Sequence, residues 1–288
     1  MTIRNIAVIG SGLMGRGIAH VSALGGYRTT VVDISDEILK KALGNMRSEM
    51  EKAISLGKLT TEQKDQALSL LIPETNLEVA AKDCDLVIEA VPEDMKLKIE
   101  TFSRLDKAAP EHTVFASNTS SMSITEMAAV TNRAPLFCGM HFFNPVHKMK
   151  LLEIVMGLET KPEVVKIAEV VGQRMGKETV VVRESPGFIT SRINAMIGNE
   201  AFYMLEEGVA TAPDIDKALK LGLNHPMGPF EMADLVGLDT RLHVLEYLHR
   251  TLGEKFRPCP LMIQYVKAGR LGRKVGRGVY DYTAEKKA

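Results

Sequence analysis

The chain has 288 residues, 45% of them hydrophobic, with 36 Lys and Arg against 36 Asp and Glu, the composition of a globular protein of one large or two smaller domains. The zero formal net charge argues against binding nucleic acid by bulk phosphate neutralisation, though a balanced total leaves room for a local basic patch. Cys84, Cys138 and Cys259 are odd in number and far apart, which excludes a disulfide framework and a paired-cysteine metal knuckle; no metal ligands are read, and a reducing, cytoplasmic home is expected.

The opening MTIRNIAVIGSGLMG is apolar, but glycines interrupt it and no small-residue cleavage site follows, so no signal peptide is expected. No run approaches the roughly 20 apolar residues of a membrane span, and no membrane partner is expected. Residues 3–9, 29–33, 86–91 and 113–117 read as β-branched strands, and 13–24, 36–56, 61–71 and 95–108 between them as amphipathic helices. Such alternation predicts βαβ units feeding a parallel sheet. Two successive helices over 36–71 exceed an ordinary crossover. Further strands are predicted at 135–143, 150–156 and 178–182, with a helix at 162–175. After Ser185-Pro186-Gly187 strand signals stop and helical periodicity takes over. The expected division is a nucleotide-binding α/β domain over 1–185 and an all-α domain over 186–288.

Gly10-Ser11-Gly12-Leu13-Met14-Gly15 is a GxGxxG that leaves a predicted strand and opens a predicted helix. Gly10 permits the tight turn, Gly12 lets backbone approach a pyrophosphate, and Gly15 allows close helix–strand packing, while Leu13 and Met14 lie where the helix N-terminus offers unpaired N–H groups. Asp33 ends the next strand at about the 20-residue interval expected of a ribose-binding acid. A carboxylate there repels a 2′-phosphate, so NAD(H) is expected over NADP(H). The competing reading makes Asp33 a cap for the helix beginning near Asp36.

Hydride transfer from an alcohol to nicotinamide leaves a proton to be removed, which calls for a base titrating near neutral pH. Among seven histidines, His141 ends the apolar run LFCGM and precedes a turn, whereas His20 and His249 sit on helical stretches and His112 precedes a strand. If 135–143 and 150–156 are neighbouring strands, Glu153 can lie beside His141, accept its Nδ1–H and stabilise the imidazolium. Otherwise Glu153 faces solvent, since an unpaired buried acid is costly.

The segments AVIGSGLMGRGIA, DLVIEAVPEDMKLK, FASNTSSMSIT, GMHFFNPVHKMKLLEIV, ESPGFITSRI and HPMGPFEMADLVGLD, with GRLGRKVGRGVYDY near the end, resemble the short-chain L-3-hydroxyacyl-CoA dehydrogenases of the 3-hydroxybutyryl-CoA type, over the whole chain. The resemblance implies a Rossmann-type domain, a helical domain through which two subunits form a homodimer, and an acyl-CoA site between the domains. It implies that His141 is the catalytic base, Glu153 its partner and Ser120 the hydrogen-bonding partner of the substrate's 3-oxygen. Asn144 of HFFNP then lies beside the nicotinamide, and Glu93 and Lys98 contact the cofactor ribose and phosphates, with Asn118 and Ser120 in the same cofactor-lining segment. Taken alone, Ser120 and Asn144 read as turn residues, Glu93 as a helix-start charge and Lys98 as a surface lysine.

In many family members an asparagine stands where this chain has Ser191, which keeps a hydroxyl but lacks the amide; Asn194, one helical turn on, is a candidate substitute. The helix pair over 36–71 resembles an arm that offers basic side chains to CoA phosphates, here Lys52 and Lys58, although the same lysines fit the wet face of an amphipathic arm. Residues 38–58 hold five basic side chains against two acids, and Arg270, Arg273, Lys274 and Arg277 cluster without an acid, so basic surface is expected in both places. The rival readings are a related dehydrogenase acting on a free hydroxy or sugar acid, and a crystallin-like protein that has lost activity.

Overall fold

A computed structural model describes residues 1–283, which divide into two compact units, Met1–Ser185 and Pro186 onward. In the first, β1 (Asn5–Ile9), α1 (Leu13–Leu24), β2 (Arg28–Val32), α2 (Asp36–Ser55), α3 (Thr61–Ser69), β3 (Leu71–Glu74), α4 (Leu77–Ala81), β4 (Leu86–Glu89), α5 (Met95–Ala108), β5 (Val114–Ser117), α6 (Ile124–Ala128), β6 (Phe137–Phe142), β7 (Leu151–Met156), α7 (Pro162–Arg174) and β8 (Glu178–Arg183) follow in order. They build one eight-stranded sheet in the order β3-β2-β1-β4-β5-β6-β7-β8. Every pairing is parallel except β6 with β7. This is the Rossmann-type α/β architecture read from the alternating pattern, with an antiparallel step that allows a short turn to join β6 to β7.

Three elements escaped the sequence. β3 carries Pro73, which a central strand excludes, but β3 lies at the sheet edge where a missing N–H costs little. The helix expected through residue 71 therefore stops at Ser69, and Leu71 already pairs with Thr29. α4 and α6 are five residues each, too short for periodicity to register, and are marked by their caps: Asn76 accepts from the Val79 N–H at 2.9 Å and Ser123 from the Glu126 N–H at 3.0 Å.

The long helix pair is fixed by local chemistry at both starts. Ser35, not Asp33, caps α2 by accepting from the Ile38 N–H, and Thr60 with Gln63 forms a capping box on α3. α2 buries Leu39, Ala42, Met46 and Met50, and Leu39, Met46 and Met50 join the same apolar core as Val8, Val31 and Ile88 of the sheet. The insertion thus packs on α1 and β3 along one face. Lys52 and Lys58 stand exposed at its far end.

The second unit comprises α8 (Thr190–Glu206), α9 (Ala212–Gly222), α10 (Pro229–Val236), α11 (Leu238–Leu252) and α12 (Pro260–Lys267) around Phe202, Phe230, Leu245, Leu248 and Phe256. Two buried aspartates tie in its last segment. Asp234 accepts from the Val279 and Tyr280 N–H groups at 2.8 and 2.9 Å, and Asp216 from the Phe230 N–H at 2.8 Å and the Tyr280 hydroxyl at 2.7 Å. A Cβ on Gly278 would stand 1.9 Å from Asp234 Oδ1, so only glycine fits there. The basic run at 270–277 is anchored by local contacts: Arg270 donates to the Gly278 and Val279 carbonyls and covers the Tyr265 ring, Arg273 covers Tyr282, and Lys274 pairs with Asp239. Arg273, Lys274 and Arg277 stay exposed, so the basic surface expected there is present. No helix among the described residues is long and apolar enough to cross a membrane.

Candidate active site

The C-terminal ends of β1, β4, β5 and β6 form one edge of the sheet, because these four strands run parallel. In open α/β sheets ligands bind along that edge. At β1 the chain turns through Gly10 at φ 93°, where a Cβ would meet the Ala90 carbonyl oxygen at 2.7 Å. A Cβ on Gly15 would stand 1.7 Å from the Gly10 carbonyl oxygen. Gly12, at the N-cap of α1, has nothing within 4 Å of its Cβ position, and Leu13 beside it is 54% exposed. No contact among the described residues requires glycine there. The open space over a helix N-terminus whose N–H groups lack a side-chain cap is what a diphosphate needs.

Asp33 is tied to this turn. Its Oδ2 accepts from the Ser11 N–H at 2.7 Å and the Ser11 hydroxyl at 2.6 Å, while Oδ1 accepts from the Ile34 N–H at 2.8 Å. The capping alternative fails, since that task belongs to Ser35. The residues present therefore fit a dinucleotide with its diphosphate at Gly12 and a ribose at Asp33.

Two strands along, Glu89 ends β4 wholly buried. Its Oε1 accepts from the Lys98 ammonium and the Val91 N–H, both at 2.7 Å, and its Oε2 from the Ser117 hydroxyl at 2.5 Å. Burial pushes the Glu89 carboxyl above its usual range against the opposing pull of Lys98, Ser117 and the Val91 N–H. Lys98 also reaches Glu93 Oε2 at 3.3 Å. The surface-lysine reading is overturned: Lys98 is 1% exposed. Glu93 in turn accepts from the Thr119 hydroxyl and, at 3.1 Å, from the Ser120 N–H. A relay from β4 to α5 thus sets the loop that carries Ser120. Glu89 and Ser117 went unread in the sequence, although an acid closing the apolar LVIE is itself a signal that a cation must be near.

Asn118 Oδ1 accepts from the Phe142 N–H at 2.9 Å, stitching the end of β5 to β6. One residue before, His141 sits opposite Glu153 in the antiparallel register, with Nδ1 2.7 Å from Glu153 Oε2. Glu153 is 0% exposed and His141 4%, so the solvated-face alternative for Glu153 is excluded. Phe143 packs against the His141 ring at 4.5 Å between centroids. Asn144 follows in an exposed turn that includes the cis Asn144–Pro145 bond.

Gly10, Gly12, Leu13, Met14, Gly15, Asp33, Glu93, Lys98, Asn118, Ser120, His141, Asn144 and Glu153 therefore all belong to the first unit, distributed along the sheet edge and its loops. Ser191 lies half-buried in the first turn of α8, in the second unit. Asn194 lies against the Arg241 guanidinium, and with its amide turned so that the oxygen faces that group it accepts from both Nη atoms at 3.0 and 2.8 Å.

A glycine turn opening a helix, an acid after the second strand and a buried His–Glu pair on one sheet edge define a dinucleotide-dependent oxidoreductase. Residues 5–185 match the NAD binding domain of 3-hydroxyacyl-CoA dehydrogenase and residues 187–282 its C-terminal domain. The chain is 46% identical over 284 residues to a probable 3-hydroxybutyryl-CoA dehydrogenase of Bacillus subtilis, covering 98% of both chains. It is 41% identical to the mitochondrial hydroxyacyl-coenzyme A dehydrogenase of Mus musculus, covering 97% of this chain and 91% of the relative. Its fold matches the crystal structure of (S)-3-hydroxybutyryl-CoA dehydrogenase from Ralstonia eutropha with a TM-score of 0.95 and 43% identity, over 98% of this chain and 100% of that one. The chain belongs to the 3-hydroxyacyl-CoA dehydrogenase family, in its 3-hydroxybutyryl-CoA dehydrogenase type.

Proposed function

We propose that the protein interconverts a short-chain L-3-hydroxyacyl-CoA, with 3-hydroxybutyryl-CoA the expected substrate, and the corresponding 3-oxoacyl-CoA, using NAD(H) in preference to NADP(H). The observation that carries this reading is the buried His141–Glu153 pair at 2.7 Å, on the same sheet edge as the glycine turn. A nicotinamide bound there would supply the hydride acceptor. With Nδ1 committed to Glu153, the acid–base work falls to Nε2 of His141, which takes the hydroxyl proton in oxidation and returns it in reduction. Glu153 holds the imidazole in the required tautomer and stabilises its protonated form. Ser120 donates to the oxygen as it becomes a carbonyl, from a loop held by Glu93, while Asn144 helps orient the nicotinamide. Ser191 contributes a hydroxyl where relatives carry an amide.

Lys98 acts in this scheme as a positioning residue for Glu93, because its ammonium is shared between two carboxylates. The cofactor preference rests on Asp33, whose charge opposes a 2′-phosphate. Exposed Lys52 and Lys58 are the proposed partners of the CoA phosphates. A homodimer is proposed on the family likeness. The deciding assay follows NADH absorbance with acetoacetyl-CoA and with free acetoacetate. Oxidation with the thioester alone supports the reading; turnover of the free acid moves the protein to a hydroxy-acid dehydrogenase, and no turnover of either overturns the enzyme assignment for these substrates.

A further inference from the structure

We infer that His20, Glu49 and His147 form a binding site for a divalent transition-metal ion of the zinc class, separate from the His141–Glu153 pair. The three side chains come from α1, α2 and the turn after β6, and one donor atom from each lies within 4.8 Å of the other two. Nδ1 of His20 stands 3.5 Å and Nδ1 of His147 3.7 Å from the same oxygen, Glu49 Oε2. A tetrahedral ion with bonds of about 2.0–2.1 Å separates its donor atoms by about 3.4 Å; the two separations to Glu49 are close to this, while ligation must also turn the two imidazoles out of their nearly parallel, 7° stacking.

The second observation is the state of His20. It is 3% exposed, and its Nδ1 has no hydrogen-bond partner among the described residues. A buried ring nitrogen directed at a carboxylate without bonding to it is an unmet donor or acceptor, which folded proteins avoid. An ion between them satisfies it.

The juxtaposition is built by packing. Val146 seats on α1 where Gly17 has no side chain; a Cβ there would stand 2.8 Å from Val146 Cγ2. Lys177 donates to the Val146 and Met149 carbonyls and clamps the same turn. His147 is thereby delivered beside His20, one helical turn beyond Gly17, with ring centroids 5.6 Å apart. Arg16 sits 3.8 Å from the other carboxylate oxygen, Glu49 Oε1, leaving Oε2 to the imidazoles. Arg16, Lys148 and Lys177 oppose a bare cation, which selects ions that bind imidazole strongly over calcium or magnesium. The 29% exposed His147 side chain leaves the fourth position to water.

The test titrates metal-free full-length protein with Zn²⁺ by calorimetry and with Co²⁺ by its visible ligand-field absorption, near neutral pH. One ion per chain is expected, with Co²⁺ bands of a low-symmetry nitrogen–oxygen site and a raised melting temperature. His147→Ala and Glu49→Gln should each weaken binding by more than about 100-fold, beyond the ~10–100-fold carried by partners that only support a ligand. His141→Gln should bind the ion unchanged. Absence of stoichiometric binding, or binding unchanged in either His147→Ala or Glu49→Gln, overturns the proposal.

Discussion

Glu89 and Glu153 are two acids on one sheet, both 0% exposed, and they are kept there in opposite ways. Glu89 is neutralised by Lys98, nine residues along the same chain segment and on the helix that follows its strand. Glu153 is paired with His141 across the antiparallel step of the sheet. The Lys98 ammonium is shared between Glu89 and Glu93, so the Glu89 cluster works as a clamp on the Glu93–Ser120 loop. An imidazole partner can both take up and release a proton through its second ring nitrogen, so the second pair can do chemistry. The comparison teaches that burial of an acid marks a site, while the nature of its cation tells what the site can do.

The largest effect that would sharpen this contrast is on turnover. His141→Gln should fold normally and bind NADH as the parent does, while kcat falls about 10²–10⁴-fold; near-normal turnover would remove the imidazole from the mechanism. At the other acid the effect should be on stability. Lys98→Met leaves Glu89 buried without its cation and should cost about 3–5 kcal/mol in urea unfolding, most of it regained in the Lys98→Met/Glu89→Gln double variant. A Lys98→Met protein as stable as the parent would show that the clamp is not structural.

A smaller change is expected at the glycine turn. Asp33→Asn removes a charge that would accept from a ribose and should lower the NADH to NADPH ratio of kcat/KM by about tenfold to 100-fold, as the loss of a charged hydrogen bond implies. The smallest effect concerns His20, whose buried imidazole lies below its ordinary 6.5 chiefly through desolvation. The unfolded chain takes up that proton first on acidification, so the stability His20 contributes is present above pH 6.5 and lost as pH falls below it. Melting temperature should therefore drop more steeply in that range for the parent than for His20→Gln.

Much of the α/β layout was legible because β-branched runs and 3.6-residue periodicity are local. The spans of α1 and α5 need no tertiary information: each apolar stripe begins after a residue that starts a helix, Gly12 or the capping Asp94. Edge strand β3 was hidden by Pro73, whose tolerance depends on having no neighbour on one side. The candidate residues were legible by type, as a histidine at a strand end and an acid inside LLEIV. Lys98 was not, because a lysine on a polar helix reads as solvated until the strand-end carboxylate beside it is known.

The sequence by itself determined the nucleotide-binding pattern, the helical remainder and the family, since glycine spacing, periodicity and long motif segments are properties of the chain taken in order. Only the tertiary structure decided what faces what. It set Glu153 against His141 through strand register, turned Lys98 inward to two carboxylates, tied Arg270 to the Gly278 carbonyl, and brought His147 to His20 by seating Val146 on Gly17. The physical reason is that burial, pairing and desolvation depend on distances between side chains remote in sequence, which the order of residues does not contain.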